Sequence, residues 1–292
     1  MAVFVPTSLE ELLTARAELP DLDLVAGGTD LVVEVNFGRR RLEDVASVSR
    51  VPELAGWHRE EPAERGGREH LVLGAGLTYT EMLEPPLAEL VPSLAQAART
   101  VGSPQIRNAG TLGGNLGTAS PAGDTLPVLA ALGAEVVLES RAGTRLVPLG
   151  EFVTGPKRTA LAPDEVIVAA RVPVVRGHQE FLKVGTRNAM VIAICSVALV
   201  LDEEAREVRV GLGSVGPVPI RAVEAERFAA EAVDWSSGRF SGDEADLRRF
   251  GELVGAAARP IDDHRSIASY RRHAVEVCAR RALERATLRR VA

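Results

Sequence analysis

Short apolar runs broken by glycine and proline dominate the chain, and long helical periods are confined to its end. Leu9, Leu12 and Leu13 fall at helical spacing behind Thr7 and Ser8, which predicts a capped helix ending near Pro20. Residues 22–26 read as a strand, followed at once by Gly27-Gly28-Thr29-Asp30 and by an apolar segment, 31–35, that reads as helix. Residues 45–48, 70–76, 134–138, 146–148 and 165–172 read as strands, 49–54 as a turn and helix start, and polar residues 56–67 as an exposed hairpin tip. Residues 77–83 and 84–100 read as helices, interrupted at Pro85-Pro86 and Pro92. Strands at 180–184, 190–201 and 208–214 then precede helices at 220–232, 246–258 and 269–291, with a polar loop at 234–243. This order predicts an α+β chain of two domains. The first is 1–172, with subdomains of about 1–55 and 56–172; the second is 173–292, a three-stranded sheet packed with helices.

One stretch departs from both periods. Residues 101–129, VGSPQIRNAGTLGGNLGTASPAGDTLPVL, contain six glycines and only two charged side chains, Arg107 and Asp124. So many glycines and short polar residues predict neither helix nor packed strand before about 128, where a helix at 128–132 begins. Glycine admits positive φ and close backbone approach, and successive N–H groups in such turns bind anions without side-chain charge. The stretch is not a Walker loop, because no Lys follows the glycines, and it lacks the GxGxxG spacing of a nicotinamide fold. With the turn at 27–30 it reads as half of a phosphate cradle. Asp30, beside that turn, reads as a helix cap or turn brace.

Composition narrows the function. A formal charge of −6 disfavours nucleic acid, and no apolar run is long enough for a membrane span. The start lacks the basic and apolar regions of a signal peptide, so a cytoplasmic location is expected. Cys195 and Cys278 read as buried, inert thiols, and two cysteines cannot hold an iron–sulfur cluster through four thiolates. The five histidines are scattered, so no catalytic triad or metal cluster is read. The arginine pairs 271-272, 280-281 and 289-290 form a basic face on the last helix, exposed to solvent or a partner.

Five motifs carry a family resemblance: AGGTDL at 26–31, IRNAGTLGGNLGTASPAGDTLPVL at 106–129, FLKVGTRNAMVIA at 181–193, LGSVGPVPIRAVEAE at 212–226, and RPIDDHRSIASYRRHAVEVCARRAL at 259–283. Together they resemble the FAD-binding medium subunit of the molybdenum hydroxylases, the family of xanthine dehydrogenase and aerobic carbon monoxide dehydrogenase. The resemblance implies a PCMH-like FAD-binding domain and a C-terminal domain of the CO dehydrogenase flavoprotein type. It implies that Ala26, Gly27, Gly28, Thr29, Asp30 and Leu31, with Thr111, Gly113, Gly114 and Asn115, embrace the FAD pyrophosphate. Asp124 would meet the ribityl or ribose hydroxyls, Thr118 and Ser120 would line the adjoining flavin site, and Lys183 would lie near the isoalloxazine. Ile106, Ala119 and Leu161 complete the implied cofactor set.

The resemblance also implies partners: a small subunit with 2Fe-2S clusters and a large subunit with a molybdopterin cofactor, in a heterotrimer or a dimer of heterotrimers. Electrons would pass from the clusters to FAD here, and on to NAD+, oxygen or another acceptor. A purine, an aldehyde, CO or a related substrate would be oxidised in the large subunit. Val191 stands where the family often has an aspartate, and neither Tyr79 nor Phe152 is marked as a flavin-stacking residue. The rival readings are a standalone FAD-dependent oxidoreductase and a non-catalytic assembly protein that keeps the fold.

Overall fold

The computed structural model describes residues 2–19, 21–62 and 66–288. Packing divides the chain into two compact units. Met1–Met82, Ser103–Ala119 and Ala134–Pro173 form one; Leu83–Gly102, Ser120–Gly133 and Val174–Ala292 form the other. The last crossing falls beside the linear boundary expected at 172/173, while two upstream segments pack with the later part of the chain.

The first unit holds two sheets. Val3–Phe4 and Asp23–Val25 flank Val45–Ser47 in a small parallel sheet. Helix Leu9–Glu18 runs between the first two of these strands in the chain; Ser8 caps it, its Oγ accepting from Glu11 N at 3.2 Å, and Leu12 and Leu13 are buried. The second sheet is antiparallel, in the order Trp57–Glu60, His70–Gly74, Val166–Pro173, Glu135–Ser140, Gly143–Pro148. Part of the expected hairpin tip is therefore an edge strand; expected tip residues 63–65 lie outside the described residues.

The glycine-rich stretch corrects the sequence reading. It is largely helical, as Pro104–Ala109 and Leu112–Thr118 in the first unit and Thr125–Leu132 in the second. Ser103 and Thr111 cap the first two helices, accepting from Ile106 N and Gly114 N. A helical glycine costs about 1 kcal/mol of propensity, and here packing outweighs it. A Cβ on Gly113 would sit 2.6 Å from the Ala75 Cβ, so this helix lies against the end of strand His70–Gly74 as only glycine allows. Residues 77–83 are not a helix either: the Glu81 carboxylate takes both the N–H and the hydroxyl of Thr78 at 2.7 Å, leaving one short turn, Glu81–Leu83.

The second unit is built on an antiparallel sheet of four strands rather than the expected three: Gln179–Val184, Cys195–Asp202, Glu207–Gly213 and the short Ile220–Arg221. Strand pairing claims Ile220, so the helix expected from 220 starts at Val223. The loop expected at 234–243 contains a small hairpin, Val233–Asp234 with Arg239–Phe240. Every residue of Cys195–Asp202 is buried. Its odd positions pair with Val208, Val210 and Leu212 on one face, which joins a core with Val275, Ala279 and Leu283 of helix Ala268–Leu288. The other face carries Ser196, Ala198, Gly211 and Gly213, small enough for helix Thr125–Leu132 to lie almost against the sheet. Both cysteines are free and buried in this unit's core.

Arg271 corrects the surface reading of the arginine pairs. It is 4% exposed and donates to the carbonyls of Ile194 and Ser214 at 3.0 and 2.8 Å and to Asp263 at 2.6 Å. Arg289 and Arg290 lie outside the described residues. Partial burial opposes ionisation of Asp263, but the N–H groups of Arg265 and Ser266 and the Arg271 guanidinium hold its pKa down at about 2. A carboxyl depressed in the folded state stabilises it above the unfolded pKa of about 4, and that contribution is lost as pH falls toward 2. Thermal unfolding followed between about pH 5 and pH 2 is therefore expected to show a loss of stability in the wild type that Asp263→Asn lacks.

Candidate functional site

A cavity of about 540 Å³ opens in the first unit, within the range of roughly 300–1,000 Å³ typical of cofactor pockets. Its first wall is the turn that leaves strand Asp23–Val25 and enters helix Leu31–Asn36. Ala26, Gly27, Gly28, Thr29, Asp30 and Leu31 all line it. Gly28 has φ of 66°, which turns the chain. Among the described residues, the backbone N–H groups of Gly27 through Leu31 and the Thr29 hydroxyl find no protein partner. Five consecutive free donors beside a cavity are the physical requirement for holding an anion without a cationic side chain.

The second wall comes from helix Leu112–Thr118, through Thr111, Gly113, Gly114, Asn115 and Thr118. Its leading backbone N–H groups are already used within the protein. Leu112 N donates to Leu77 O, Gly113 N to Ala75 O, and Gly114 N to the Thr111 hydroxyl, so the expected backbone cradle at 111–115 has spent these three N–H groups inside the protein. Gly114 is exposed, and a Cβ there would meet only the Thr111 hydroxyl, at 3.1 Å. The two glycine turns touch: a Cβ on Gly27 would lie 1.7 Å from the carbonyl oxygen of Ala109. Leu161 closes part of the cavity as well.

Other expected residues stand elsewhere. Ile106 lies on helix Pro104–Ala109, away from the cavity lining. Ala119 is fully buried in a left-handed conformation at the end of helix Leu112–Thr118. Ser120, Asp124 and Lys183 belong to the second unit. Ser120 braces a turn, accepting from Ala122 N. Asp124 and Lys183 form a buried ion pair at 2.5 Å, each side chain under a tenth exposed, and Lys183 also donates to Thr100 O. Burial pushes the Asp124 carboxyl up, while the Lys183 ammonium and the Thr100 hydroxyl pull it back. One Asp124 oxygen, Oδ1, is buried without a partner.

Asp30 occupies the cap position of its helix without capping it. Its backbone is in the right-handed helical region, whereas a capping side chain needs extended φ and ψ to reach the N–H groups beyond it. Asp30 lines the cavity instead. Six charged lining residues escaped the sequence reading: Arg16, Asp21, Asp23, Glu34, Arg40 and Lys157. Arg40 pairs with Asp23 and Lys157 with Glu34. The Lys157 ammonium holds the Glu34 carboxyl below the ordinary range, and burial lowers the Arg16 guanidinium against the pull of Asp23. Glu34, one helical turn beyond Asp30, was legible from periodicity; Arg16 and Lys157 carried no local signal.

The family described as the FAD binding domain in molybdopterin dehydrogenase matches residues 1–175, and the CO dehydrogenase flavoprotein C-terminal domain matches 180–286. The nicotinate dehydrogenase FAD-subunit of Eubacterium barkeri is 34% identical over 242 residues, covering 78% of this chain and 79% of its own. Among solved structures, quinoline 2-oxidoreductase from Pseudomonas putida 86 superposes with a TM-score of 0.86 at 26% identity, covering 98% of this chain and 96% of that one. Carbon monoxide dehydrogenase from Hydrogenophaga pseudoflava superposes at 0.85 with 27% identity, covering 100% and 98%.

Proposed function

Since the chain belongs to the family of FAD-binding medium subunits of molybdopterin dehydrogenases, we propose that it accepts electrons from 2Fe-2S clusters of a small partner subunit and passes them to NAD+, oxygen or another acceptor. In this reading the substrate, a purine, an aldehyde, CO or a related compound, is oxidised at a molybdopterin cofactor in a large third subunit. The complex is a heterotrimer or a dimer of heterotrimers, located in the cytoplasm. Residues 1–172 serve as the FAD-binding domain and 173–292 as the C-terminal domain.

The free N–H row at Gly27–Leu31 carries the proposal. FAD fits what the chain offers. Its pyrophosphate needs donors, and the row supplies them. The glycine face at Gly114 leaves room for it. On the family resemblance we assign Ser120, Asp124 and Lys183 to the flavin side of the cofactor. When bound, FAD supplies the redox chemistry, and the protein's task is to hold and orient it.

Purification with its partner subunits is expected to give about one FAD per chain, read from the flavin absorption band. Folded chain and complex both lacking flavin would favour an assembly role. Reduction of the flavin by a purine or aldehyde in the isolated chain would favour a standalone oxidoreductase. Gly114→Val places a branched side chain on the cavity wall without a backbone clash. It is expected to cut FAD occupancy at least about tenfold while moving the unfolding temperature of the apoprotein little.

A further inference from the structure

Glu34 and Lys157 are far apart in sequence, yet they pair at the wall of the cavity that both line. Glu34 stands on helix Leu31–Asn36 one turn beyond Asp30, so two carboxylates follow the row of free N–H groups. Lys157 occupies the turn between strands Val153–Gly155 and Arg158–Thr159 with φ of 55°. Glycine or asparagine fills that left-handed conformation at lower cost. Its N–H donates to the carbonyl of Ala119 at 3.0 Å, the residue that ends helix Leu112–Thr118. The backbone thus anchors Lys157 to the end of one cavity element, and its side chain reaches the other. A lysine at a strained position, directed at a cavity carboxylate, points to a task for its charge.

The ligand's charge defines that task. The pyrophosphate of FAD is a dianion, and Asp30 and Glu34 oppose its entry. Arg40 is ion-paired with Asp23, and Lys157 is the cation bonded directly to the Glu34 carboxylate. We propose that Lys157 is a charge-compensating residue of the dinucleotide cavity: it neutralises Glu34 and so lets the adjacent N–H row hold a pyrophosphate. The proposal rests on the FAD reading above.

The test is FAD affinity of the assembled protein, stripped of flavin and titrated with FAD, followed by flavin fluorescence. Lys157→Met is expected to weaken binding about tenfold, or about 1.4 kcal/mol, by leaving Glu34 uncompensated. Adding Glu34→Gln to it is expected to restore affinity to within about threefold of the wild type, and Glu34→Gln alone should bind no more weakly than wild type. Lys157→Gly removes the same charge while relaxing the left-handed backbone, so it should match Lys157→Met in a chain that folds at least as well. Unchanged affinity in the single lysine variants, or a double variant as weak as Lys157→Met, overturns the proposal. A wild type that takes up no FAD refutes the FAD reading itself, which is a different result from a wild type that binds and a lysine variant that binds equally.

Discussion

Gly27→Ala is expected to abolish FAD binding and to destabilise the first unit by about 4 kcal/mol or more, in the class of exceptional single-site losses. The cause is steric. The new Cβ would lie 1.7 Å from the Ala109 oxygen and 2.3 Å from its carbonyl carbon. That carbonyl cannot step aside cheaply, because the chain around it is pinned on both sides. Gly110 N donates to Ile106 O, Tyr79 N to Gly110 O, and Thr80 N to Arg107 O. The variant must therefore separate the two glycine turns, and the free N–H row moves with the first of them. Unfolding of the apoprotein in urea separates this from the Gly114→Val effect: Gly27→Ala lowers the midpoint without FAD present, and Gly114→Val leaves it nearly unchanged. A Gly27→Ala protein as stable as wild type would contradict the packing described here.

Lys183→Met is expected to cost about 3–5 kcal/mol near neutral pH. The substitution strands the Asp124 carboxylate, whose side chain is 7% exposed and whose Oδ1 has no partner to fall back on. The pH dependence follows from the direction of the shift. Burial already raises the folded-state pKa of Asp124, and loss of the ammonium removes what opposes that rise. A carboxyl raised in the folded state favours folding most while protonated, and the cost appears as pH climbs through its folded pKa. The deficit of Lys183→Met relative to wild type should therefore shrink as pH is lowered from about 7 to about 5. Asp124→Asn combined with Lys183→Met should recover much of the loss at neutral pH, because no buried charge is left alone. A deficit independent of pH would show that lost packing, not stranded charge, is responsible.

The parts of the fold that were legible in the sequence are those specified locally. The Ser8 cap, the helix behind it and the Gly27-Gly28 turn each follow from a few adjacent residues. Helix Leu112–Thr118 was not legible, because its glycines argue against helix on propensity, and the contact that requires Gly113 is with Ala75, some 40 positions earlier. The division of labour between the two glycine turns was hidden for the same reason. Only the structure shows that the second has spent its N–H groups on Ala75 and Leu77 while the first has kept its own free. Long-range pairs are the other blind spot. Asp124 with Lys183 and Glu34 with Lys157 each join residues whose sequence neighbours give no hint of the partner. Family resemblance located the cofactor-binding motifs, and geometry then sorted them into donors, shape and charge.

The central claim is that the backbone of residues 27–31 holds the pyrophosphate. Amide 1H–15N resonances of Gly27, Gly28 and Thr29 test it most directly, followed as FAD is added to apoprotein. The account predicts large downfield proton shifts for these amides as they acquire a phosphate acceptor, with Gly113 and Gly114 moving much less because their N–H groups are already bonded within the protein. FAD bound at full occupancy with the Gly27–Thr29 amides unmoved would contradict it.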